Sequence, residues 1–362
     1  MKSLTRAAAL CGAGALVLAA CGTPPDDSAG SGSDAASDYK ACMVSDQGGF
    51  DDKSFNESGY NGLKAIEKNH GAQIQTAESK TEADFQPNMQ NLVQADCDTI
   101  YAVGYLFSNT VRTEGEANPD VHYAIIDSTA QDEEGNPVEV DNVKPLLFDT
   151  SQASFLAGYL AAGMTESGTV ATYGGVKIPS VTIFMDGYAD GVAYYNETHG
   201  TDVKVLGWNK DSQDGSFTGD FEDQTKGKAL TDGFISQGAD IIMPVAGPVG
   251  AGTIAAAQEN AGVKVIWVDA DGAESNPDAA NVILTSVVKG IAPAVEDTAT
   301  EIADGKFSNQ PYVGTLENEG VGLAPYHEFD DQVSADLKKE VEDLRQKIIS
   351  GDVTVTSPSS PK

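Results

Sequence analysis

The sequence is poor in basic side chains. Its 362 residues include 22 lysines and arginines against 55 aspartates and glutamates, which gives a formal net charge of −33. Such a surface repels nucleic acid and anionic lipid headgroups, and it disfavours phosphorylated ligands unless a local basic pocket overrides the net charge. We therefore expect no nucleic-acid partner and a neutral or weakly polar ligand.

Histidine and cysteine are also scarce, with four of each. The histidines are scattered and no Cys/His cluster has the spacing of metal ligands, so the sequence predicts neither a metal nor a cofactor. Cys42 lies in the first predicted strand and Cys97 at the start of the third. These strands are neighbours in a sheet of order 2-1-3, so the two cysteines form either a disulfide or a pair of buried free thiols.

Long apolar runs are absent beyond the first twenty residues. Lys2 and Arg6 precede an apolar stretch that ends in Leu-Ala-Ala-Cys21. This pattern indicates a secretory signal over residues 1–21, and its end resembles the bacterial lipobox, which implies cleavage before Cys21 and fatty acid (palmitate) on that residue. Residues 22–38 are rich in Gly, Ser and Asp and predict a flexible tether. We expect an exported chain held at the outer face of the cell membrane only by its N-terminal lipid.

From residue 39 onward, β-rich apolar runs alternate with helical stretches, which is typical of an α/β fold with parallel sheets and right-handed crossovers. Five strands come first, and a second series on the same plan follows, so the sequence predicts two doubly wound lobes. The predicted strands cover residues 41–44, 72–76, 99–103, 122–126 and 143–148, then 169–173, 203–206, 240–243 and 263–268.

After the second series the chain adds a short strand at 281–285, a helix at 289–303, strands at 312–315 and 321–323, and a helix at 333–349. A chain that completes two lobes and then continues in this way re-crosses between them, as in a type I periplasmic binding protein with a multi-crossing hinge. The predicted N-terminal lobe is 39–149 with about 283–304, and the C-terminal lobe is 150–282 with about 305–350. Hinges are expected near Asp149, Thr285 and Gly305, and residues 351–362 as a disordered tail.

Residues 44–56 read as a strand, a glycine-rich turn and a helix start, with Ser54 and Glu57 as a capping box. Ligands of open α/β sheets bind outside the carboxyl ends of the strands, so Asp46, Ser54, Phe55 and Asn56 are candidate ligand-binding residues. The turn chemistry alone is typical of an ordinary first βα connection, in which Ser54 only caps the helix.

The string Gly-Phe-Asp-Asp-Lys-Ser-Phe-Asn-Glu-Ser, residues 49–58, resembles the signature of the basic membrane protein family. Further matching segments follow in order to about residue 290, among them Ser-Phe-Leu-Ala-Gly158 and Thr-Ser-Val-Val-Lys289. Members of this family are lipoproteins that bind purine nucleosides for ABC importers. The resemblance implies a non-enzymatic, monomeric nucleoside-binding protein that serves an ABC transporter permease.

The resemblance also implies roles for residues beyond the first turn. Asp127 ends the fourth strand and would bind the base, although Asp-Ser after a strand is also common turn chemistry. Phe221 would stack on the base opposite Phe55, with Trp208 and Phe217 as rivals. The remaining candidates would contact the ribose: Gly247 through its backbone, Asp269 as the first choice of carboxylate with Asp271 second, and Lys289.

Two alternatives remain open at this stage. Asp46 with Asp51 and Asp52 partly resembles the calcium-binding turn of nucleoside hydrolases, which predicts a calcium-dependent enzyme. The same fold also serves sensors of sugars or signalling molecules. Release of free base in the presence of Ca²⁺ favours the first alternative, and binding of sugars in place of nucleosides favours the second.

Overall fold

The computed structural model describes residues 39–361, which form two six-stranded sheets and one short two-stranded ribbon. The predicted signal peptide, the lipid site at Cys21 and the tether lie outside the described residues. In chain order the strands are β1 (Lys40–Ser45), β2 (Gln73–Glu78), β3 (Thr99–Val103), β4 (His122–Ile126), β5 (Val143–Phe148), β6 (Thr169–Gly174), β7 (Lys204–Leu206), β8 (Trp208–Asn209), β9 (Asp214–Gly215), β10 (Ile241–Val245), β11 (Lys264–Asp269), β12 (Ile283–Lys289), β13 (Tyr312–Gly314) and β14 (Val321–Leu323).

Helices cover the faces of both sheets. They are α1 (Phe55–His70), α2 (Phe85–Gln94), α3 (Ser108–Ala117), α4 (Thr150–Met164), α5 (Pro179–His199), α6 (Gln224–Ser236), α7 (Gly250–Glu259), α8 (Gly272–Ser275), α9 (Ile291–Ala303) and α10 (Ala335–Ile349). The central strands are buried along their whole length, as in a parallel sheet covered on both faces. The predicted type I periplasmic binding protein architecture is confirmed.

The two sheets repeat one plan. The first has the order β13-β5-β4-β3-β1-β2 with every pair parallel, and the second has the order β14-β12-β11-β10-β6-β7 with only the β12–β14 pair antiparallel. We refer to each sheet, with the helices packed on it, as the first and second lobe. By this order β1 corresponds to β6, β3 to β10 and β4 to β11. The carboxyl ends of corresponding strands supply the residues between the lobes.

Within residues 39–361 the chain passes between the sheets three times. The first passage lies at Asp149, as predicted. The second follows Lys289, and the third lies between Gly314 and Val321. Thr285 is inside β12, which pairs with β11 of the second sheet, so the predicted hinge there and the assignment of 283–289 to the first lobe are wrong. Gly305 follows α9, which packs on α1 of the first lobe, and the next strand, β13, pairs with β5 of the first sheet. Gly305 is therefore not a crossing point either, and the assignment of 305–314 to the C-terminal lobe is also wrong.

Helices α4 and α5 pack so closely that glycine is required at their contact. A Cβ atom at Gly191 would lie 2.0 Å from the carbonyl oxygen of Phe155, and one at Gly187 would lie 2.2 Å from that of Ser151. The segment that ends at Gly158 belongs to this contact, because a Cβ there would lie 2.1 Å from the carbonyl oxygen of Tyr188. Because α4 begins directly after the first passage between the sheets, this closely packed helix pair lies next to that passage in the second lobe.

The two cysteines of the first lobe form a disulfide. Cys42 on β1 and Cys97 just before β3 are at most 3% exposed, and their Cα atoms are 6.0 Å apart. Parallel pairing of β1 with β3 brings them together. The sequence left free thiols as the alternative, and the structure decides for the disulfide.

The C-terminal segment differs from the expected disordered tail. Val353 and Val355 pack against the hydrophobic core, and the backbone N–H of Val353 donates to Lys347. Ser357 then donates to the buried Asp186 of the second lobe, and Ser360 donates to Asp149 at the first passage between the lobes. The short, polar and proline-rich composition predicts disorder. That prediction is wrong, because hydrogen bonds from the serine hydroxyls hold the segment against the rest of the protein.

Candidate ligand-binding site between the lobes

A cavity lies between the lobes at the carboxyl ends of the central strands. It contains about 500 Å³ of empty space, counting its open mouth. Eight of the ten candidate residues line it: Asp46, Phe55, Asn56, Asp127, Phe221, Gly247, Asp269 and Lys289. Ser54 and Asp271 do not line it.

The turn before α1 differs from the predicted capping box. Asp52, not Ser54, caps the helix, because its carboxylate accepts hydrogen bonds from the backbone N–H groups of Ser54, Asn56 and Glu57 at 2.9–3.0 Å. The Ser54 hydroxyl instead donates to Asp269 Oδ2 and to the carbonyl oxygen of Val268, both at 3.0 Å. Ser54 therefore positions a cavity residue of the second lobe from behind.

Asp46 and Asn56 form one wall of the cavity. Asn56 Nδ2 donates to Asp46 Oδ1 at 2.9 Å and to Asp52 Oδ2 at 3.1 Å, while Asn56 Oδ1 is buried and accepts no hydrogen bond from residues 39–361. Gly104 has a φ of +115°, and a Cβ there would lie 2.5 Å from Asp46 Oδ2. Only glycine leaves room for the carboxylate in this position.

Lys289 joins the two lobes through two carboxylates. Its ammonium group hydrogen-bonds to Asp127 Oδ2 and lies 3.1 Å from Asp269 Oδ1, and all three side chains are at least nine-tenths buried. The strand β12 extends to Lys289, because Lys289 pairs with Val321 across the antiparallel β14. The prediction that Lys289 begins a helix is therefore wrong; it ends a strand beside the end of β11.

Asp127 and Asp269 occupy corresponding positions in the two lobes. Asp127 directly follows β4 and Asp269 is the last residue of β11, and both adopt left-handed backbone conformations, with φ of +63° and +69°. Residues other than glycine take this conformation at a cost, and such strain concentrates at functional sites. The flanking strands hold the backbone in this conformation despite its cost. The conformation directs both carboxylates into the space between the lobes.

Burial sets the protonation of these carboxyl groups. It raises the pKa of Asp46 to about 8, and it raises the pKa of Asp52 to about 6 against the hydrogen bonds from α1. Burial also raises the pKa of Asp127 to about 6, against the attraction of Lys289. For Lys289 burial lowers the pKa, but the two carboxylates outweigh it and the net pKa lies above its ordinary value. Lysine therefore stays charged, and the cavity has more acidic groups than basic ones.

Three phenylalanine rings line the cavity. Lys289 Nζ lies 5.0 Å from the ring centroid of Phe55 and 4.7 Å from that of Phe184, within the range of a cation–π contact. The ring of Phe221 lies against Gly175, where a Cβ would approach it to 2.4 Å. Phe184 is not among the predicted site residues. Apolar residues cover most of the first half of α5, so the hydrophobic periodicity identifies no single face. The position of Phe184 about one turn after Pro179, at the start of the helix, is the signal that could have identified it.

The rivals for the second stacking position lie elsewhere. Trp208 is 6% exposed and donates from Nε1 to Asp186, and Phe217 packs edge-on against it. Asp271 caps α8 by accepting from the N–H of Ala273 and pairs with His327 at 2.7 Å. Asp271 therefore stabilises its own segment. Asp269, at the end of β11, is the carboxylate that lines the cavity. Gly247 lines the cavity in the turn that precedes α7.

Comparison with known proteins agrees with this geometry. Residues 39–359 match the Bmp family model, described as ABC transporter substrate-binding protein PnrA-like. The chain belongs to this family.

Relatives of this Bmp-family chain include basic membrane protein A of Borreliella burgdorferi, which is 31% identical over 322 residues and covers 88% of each chain. The ABC transporter nucleoside-binding protein BmpA of Lactococcus lactis is 28% identical and covers 98% of this chain and 99% of its own. Among solved structures, a solute-binding protein of an Aeropyrum pernix ABC transporter system superposes with a TM-score of 0.77 at 24% identity, covering 88% and 94% of the two chains.

The Bmp-family chain is thus a substrate-binding protein of an ABC transporter by family, and a two-lobed periplasmic-type binding protein by fold. None of the helices within residues 39–361 is both long enough and apolar enough to cross a membrane. These findings make the cavity between the lobes the candidate site for the transported substrate.

Proposed function

We infer that this protein captures nucleosides, in particular purine nucleosides, between its closing lobes and delivers them to the permease of an ABC importer. The observation that carries this is the pairing of aromatic rings with buried carboxylates in one cavity between the lobes. The family membership and the nucleoside-binding relative from Lactococcus lactis support it. These observations together favour the importer over the hydrolase and over the sugar or signal-molecule sensor.

The base would lie between aromatic rings. Phe55 comes from the first lobe and Phe221 from the second, so closure places a ring on each side of a planar guest. Stacking of a base on one such ring contributes about 1–3 kcal/mol on nucleic-acid-binding proteins. Phe184, next to Lys289, is a third apolar surface for the same guest.

The polar edge of the guest would donate hydrogen bonds. Asp46, Asp127 and Asp269 present carboxylate oxygens, and Asn56 Oδ1 is a buried acceptor without a donor. The N–H groups of a purine match Asp46, Asn56 and Asp127. The hydroxyls of a ribose match Asp269, while Lys289 donates to a sugar oxygen. Charge-assisted bonds of this kind are stronger than neutral ones.

The charge of the cavity argues against nucleotides. Its acidic and basic side chains are four aspartates and one lysine, and that lysine is already paired with Asp127 and Asp269. Even with Asp46 largely protonated at neutral pH, the remaining carboxyl groups outnumber the lysine, so a phosphate group would meet uncompensated like charge, which costs several kcal/mol. Nucleosides are therefore preferred over their phosphates.

The remaining parts of the proposal concern delivery. Lipid on Cys21 would hold the chain at the outer face of the cell membrane, and residues 22–38 would let the monomeric domain reach its permease. No bond of the ligand is made or broken in this role, so the free base should not appear. Chromatography of inosine after incubation with the purified protein and Ca²⁺ tests this point, and release of hypoxanthine would favour the hydrolase.

Isothermal titration calorimetry of the full-length chain in detergent tests the proposal. Adenosine, guanosine and inosine should bind with a stoichiometry of one. Ribose, free bases and the 5′-monophosphates should bind at least tenfold more weakly. Binding of ribose with no binding of any nucleoside would overturn it in favour of a sugar-binding role.

A further inference from the structure

A second cavity adjoins the candidate site and opens beside it. It contains about 1130 Å³ of empty space, counting its open side. Tyr105, Asp127 and Ser180 line both cavities, so the two spaces meet at these residues. Its walls come from both lobes, with Phe148 and Pro311 from the first and Ile183 from the second. A substituent that extends from the first cavity past Asp127 would therefore enter the second.

The C-terminal segment forms one wall of this second cavity. Pro358, Ser359, Ser360 and Pro361 line it. Ser357 Oγ donates to Asp186 Oδ2 at 2.6 Å, and Asp186 is fully buried with its other oxygen taken by Trp208 and Gln213.

Two more hydroxyls hold the same segment. Ser359 Oγ is 2.9 Å from Thr182 Oγ1, and Ser360 Oγ donates to Asp149 Oδ1 at 3.2 Å. Asp149 is the first passage between the lobes. The segment is thus tied both to α5 and to this passage, and the wall it forms has a fixed place.

The chemistry of the walls defines what the cavity accepts. Apolar surface comes from Leu147, Phe148, Ile183 and several prolines, and polar surface from the hydroxyl and amide groups of Ser128 and Gln131. Among its lining residues the only charged side chain is Asp127. A phosphate or carboxylate would find no cation there, whereas an uncharged group with aromatic or aliphatic surface would be well covered.

Asp127 also provides the link between the two spaces. Its Oδ2 accepts from Lys289, and its Oδ1 accepts no hydrogen bond from residues 39–361. A secondary amine on the guest has one N–H to donate, and its substituent points away from that hydrogen. A guest whose exocyclic N–H meets Asp127 would carry such a substituent on the same nitrogen, next to the second cavity that Asp127 also lines.

We propose that the second cavity is a subsite for an uncharged substituent on the exocyclic amine of a purine nucleoside, and that residues 356–361 set its size. The ligand class is therefore N6-substituted adenosines with aromatic or aliphatic groups, in addition to plain nucleosides. This rests on the proposed nucleoside function, since the purine must occupy the first cavity for its substituent to reach the second.

Calorimetry of the full-length chain in detergent with adenosine, N6-benzyladenosine and N6-(carboxymethyl)adenosine tests the subsite. N6-benzyladenosine should bind at least as tightly as adenosine, and the carboxymethyl compound at least tenfold more weakly. Thr129→Trp adds a large side chain to the wall of the second cavity and leaves the first unchanged, because Thr129 is half-buried and does not line the first. It should weaken N6-benzyladenosine at least tenfold and leave adenosine unchanged, whereas the matched control Thr129→Ser should change neither. Removal of residues 356–362 should weaken N6-benzyladenosine more than adenosine.

The outcomes separate the subsite from the function on which it rests. Binding of adenosine without binding of N6-benzyladenosine overturns the subsite and leaves the nucleoside function intact. Failure of both compounds overturns the nucleoside function itself. Tight binding of N6-benzyladenosine that Thr129→Trp does not weaken also overturns the subsite, because the substituent must then lie elsewhere. Melting temperatures measured without ligand identify a variant that fails to fold, in which case Ser128→Phe replaces it as the filling variant.

Discussion

Nucleoside affinity should rise with pH between 6 and 8. Burial raises the pKa of Asp46 to about 8, so without ligand this carboxyl group is largely protonated at neutral pH. A carboxylate holds a guest N–H far more strongly than a protonated carboxyl group does, so binding lowers the pKa of Asp46 and releases a proton. With a pKa near 8, about 1% of the group is ionised at pH 6 and about half at pH 8, so the affinity should rise on the order of 50-fold.

The stability of the ligand-free protein should change in the opposite direction. The pKa of Asp46 in the folded protein lies above its ordinary value of 3.8, so the folded state holds a proton that the unfolded state has lost. This contribution to stability is therefore lost as the pH rises from about 4 through about 8. The melting temperature without ligand should fall over that range, and saturating nucleoside should offset part of the fall.

Calorimetry at pH 6, 7 and 8, in pairs of buffers with different ionisation enthalpies, measures both affinity and proton release. We expect release of nearly one proton per nucleoside at pH 7. The variant Asp46→Asn keeps the hydrogen bond to Asn56 without a titrating group, and its affinity should not depend on pH in this way. An affinity that falls from pH 6 to 8 would refute the reasoning, since it would mean that Asp46 donates a proton to the ligand.

Three other substitutions give separate checks. Phe55→Ala removes one stacking face, which costs about 1–3 kcal/mol, so calorimetry should show a loss of about 5-fold to 150-fold in affinity with little change in the melting temperature; a parallel loss of folding would contradict this. Asp269→Asn removes a charge-assisted acceptor worth about 1.5–3 kcal/mol and should weaken nucleoside binding at least tenfold, while its matched control Asp271→Asn, whose carboxylate caps α8, should change the affinity less than twofold. Cys42→Ala with Cys97→Ala removes the disulfide, which closes a loop of 55 residues. Urea titrations should show a free energy of unfolding that is lower by about 4 kcal/mol, while the nucleoside affinity should not change. A lowered affinity would mean that the disulfide also shapes the cavity.

Most strands and helices could be predicted from the sequence. β-rich runs followed by amphipathic stretches identify β1, β3 and β4 almost to the residue, because strands of a parallel sheet are continuous apolar segments. Ligands bind at the carboxyl ends of such strands, so Asp46 and Asp127, which follow strands in the sequence, could be predicted as site residues. The pairing of Cys42 with Cys97 followed from strand order alone as one of two choices.

What could not be predicted depends on contacts between distant segments. Ser54 and Asp52 are both plausible helix caps by sequence, and only the presence of Asp269 across the lobes shows why Ser54 turns away from α1. The strand β12 continues to Lys289 because β14 pairs with it from more than thirty residues away. The C-terminal segment has the composition of a disordered tail, and its order depends on Asp186 and Asp149, which the sequence gives no reason to place there.

A crystal structure of the complex with inosine tests the central claim most directly. The account predicts the purine between Phe55 and Phe221, its polar edge on Asp46 and Asp127, its ribose hydroxyls on Asp269 and Lys289, and an intact glycosidic bond. A base that lies outside this cavity, or a bound sugar without its base, would contradict it.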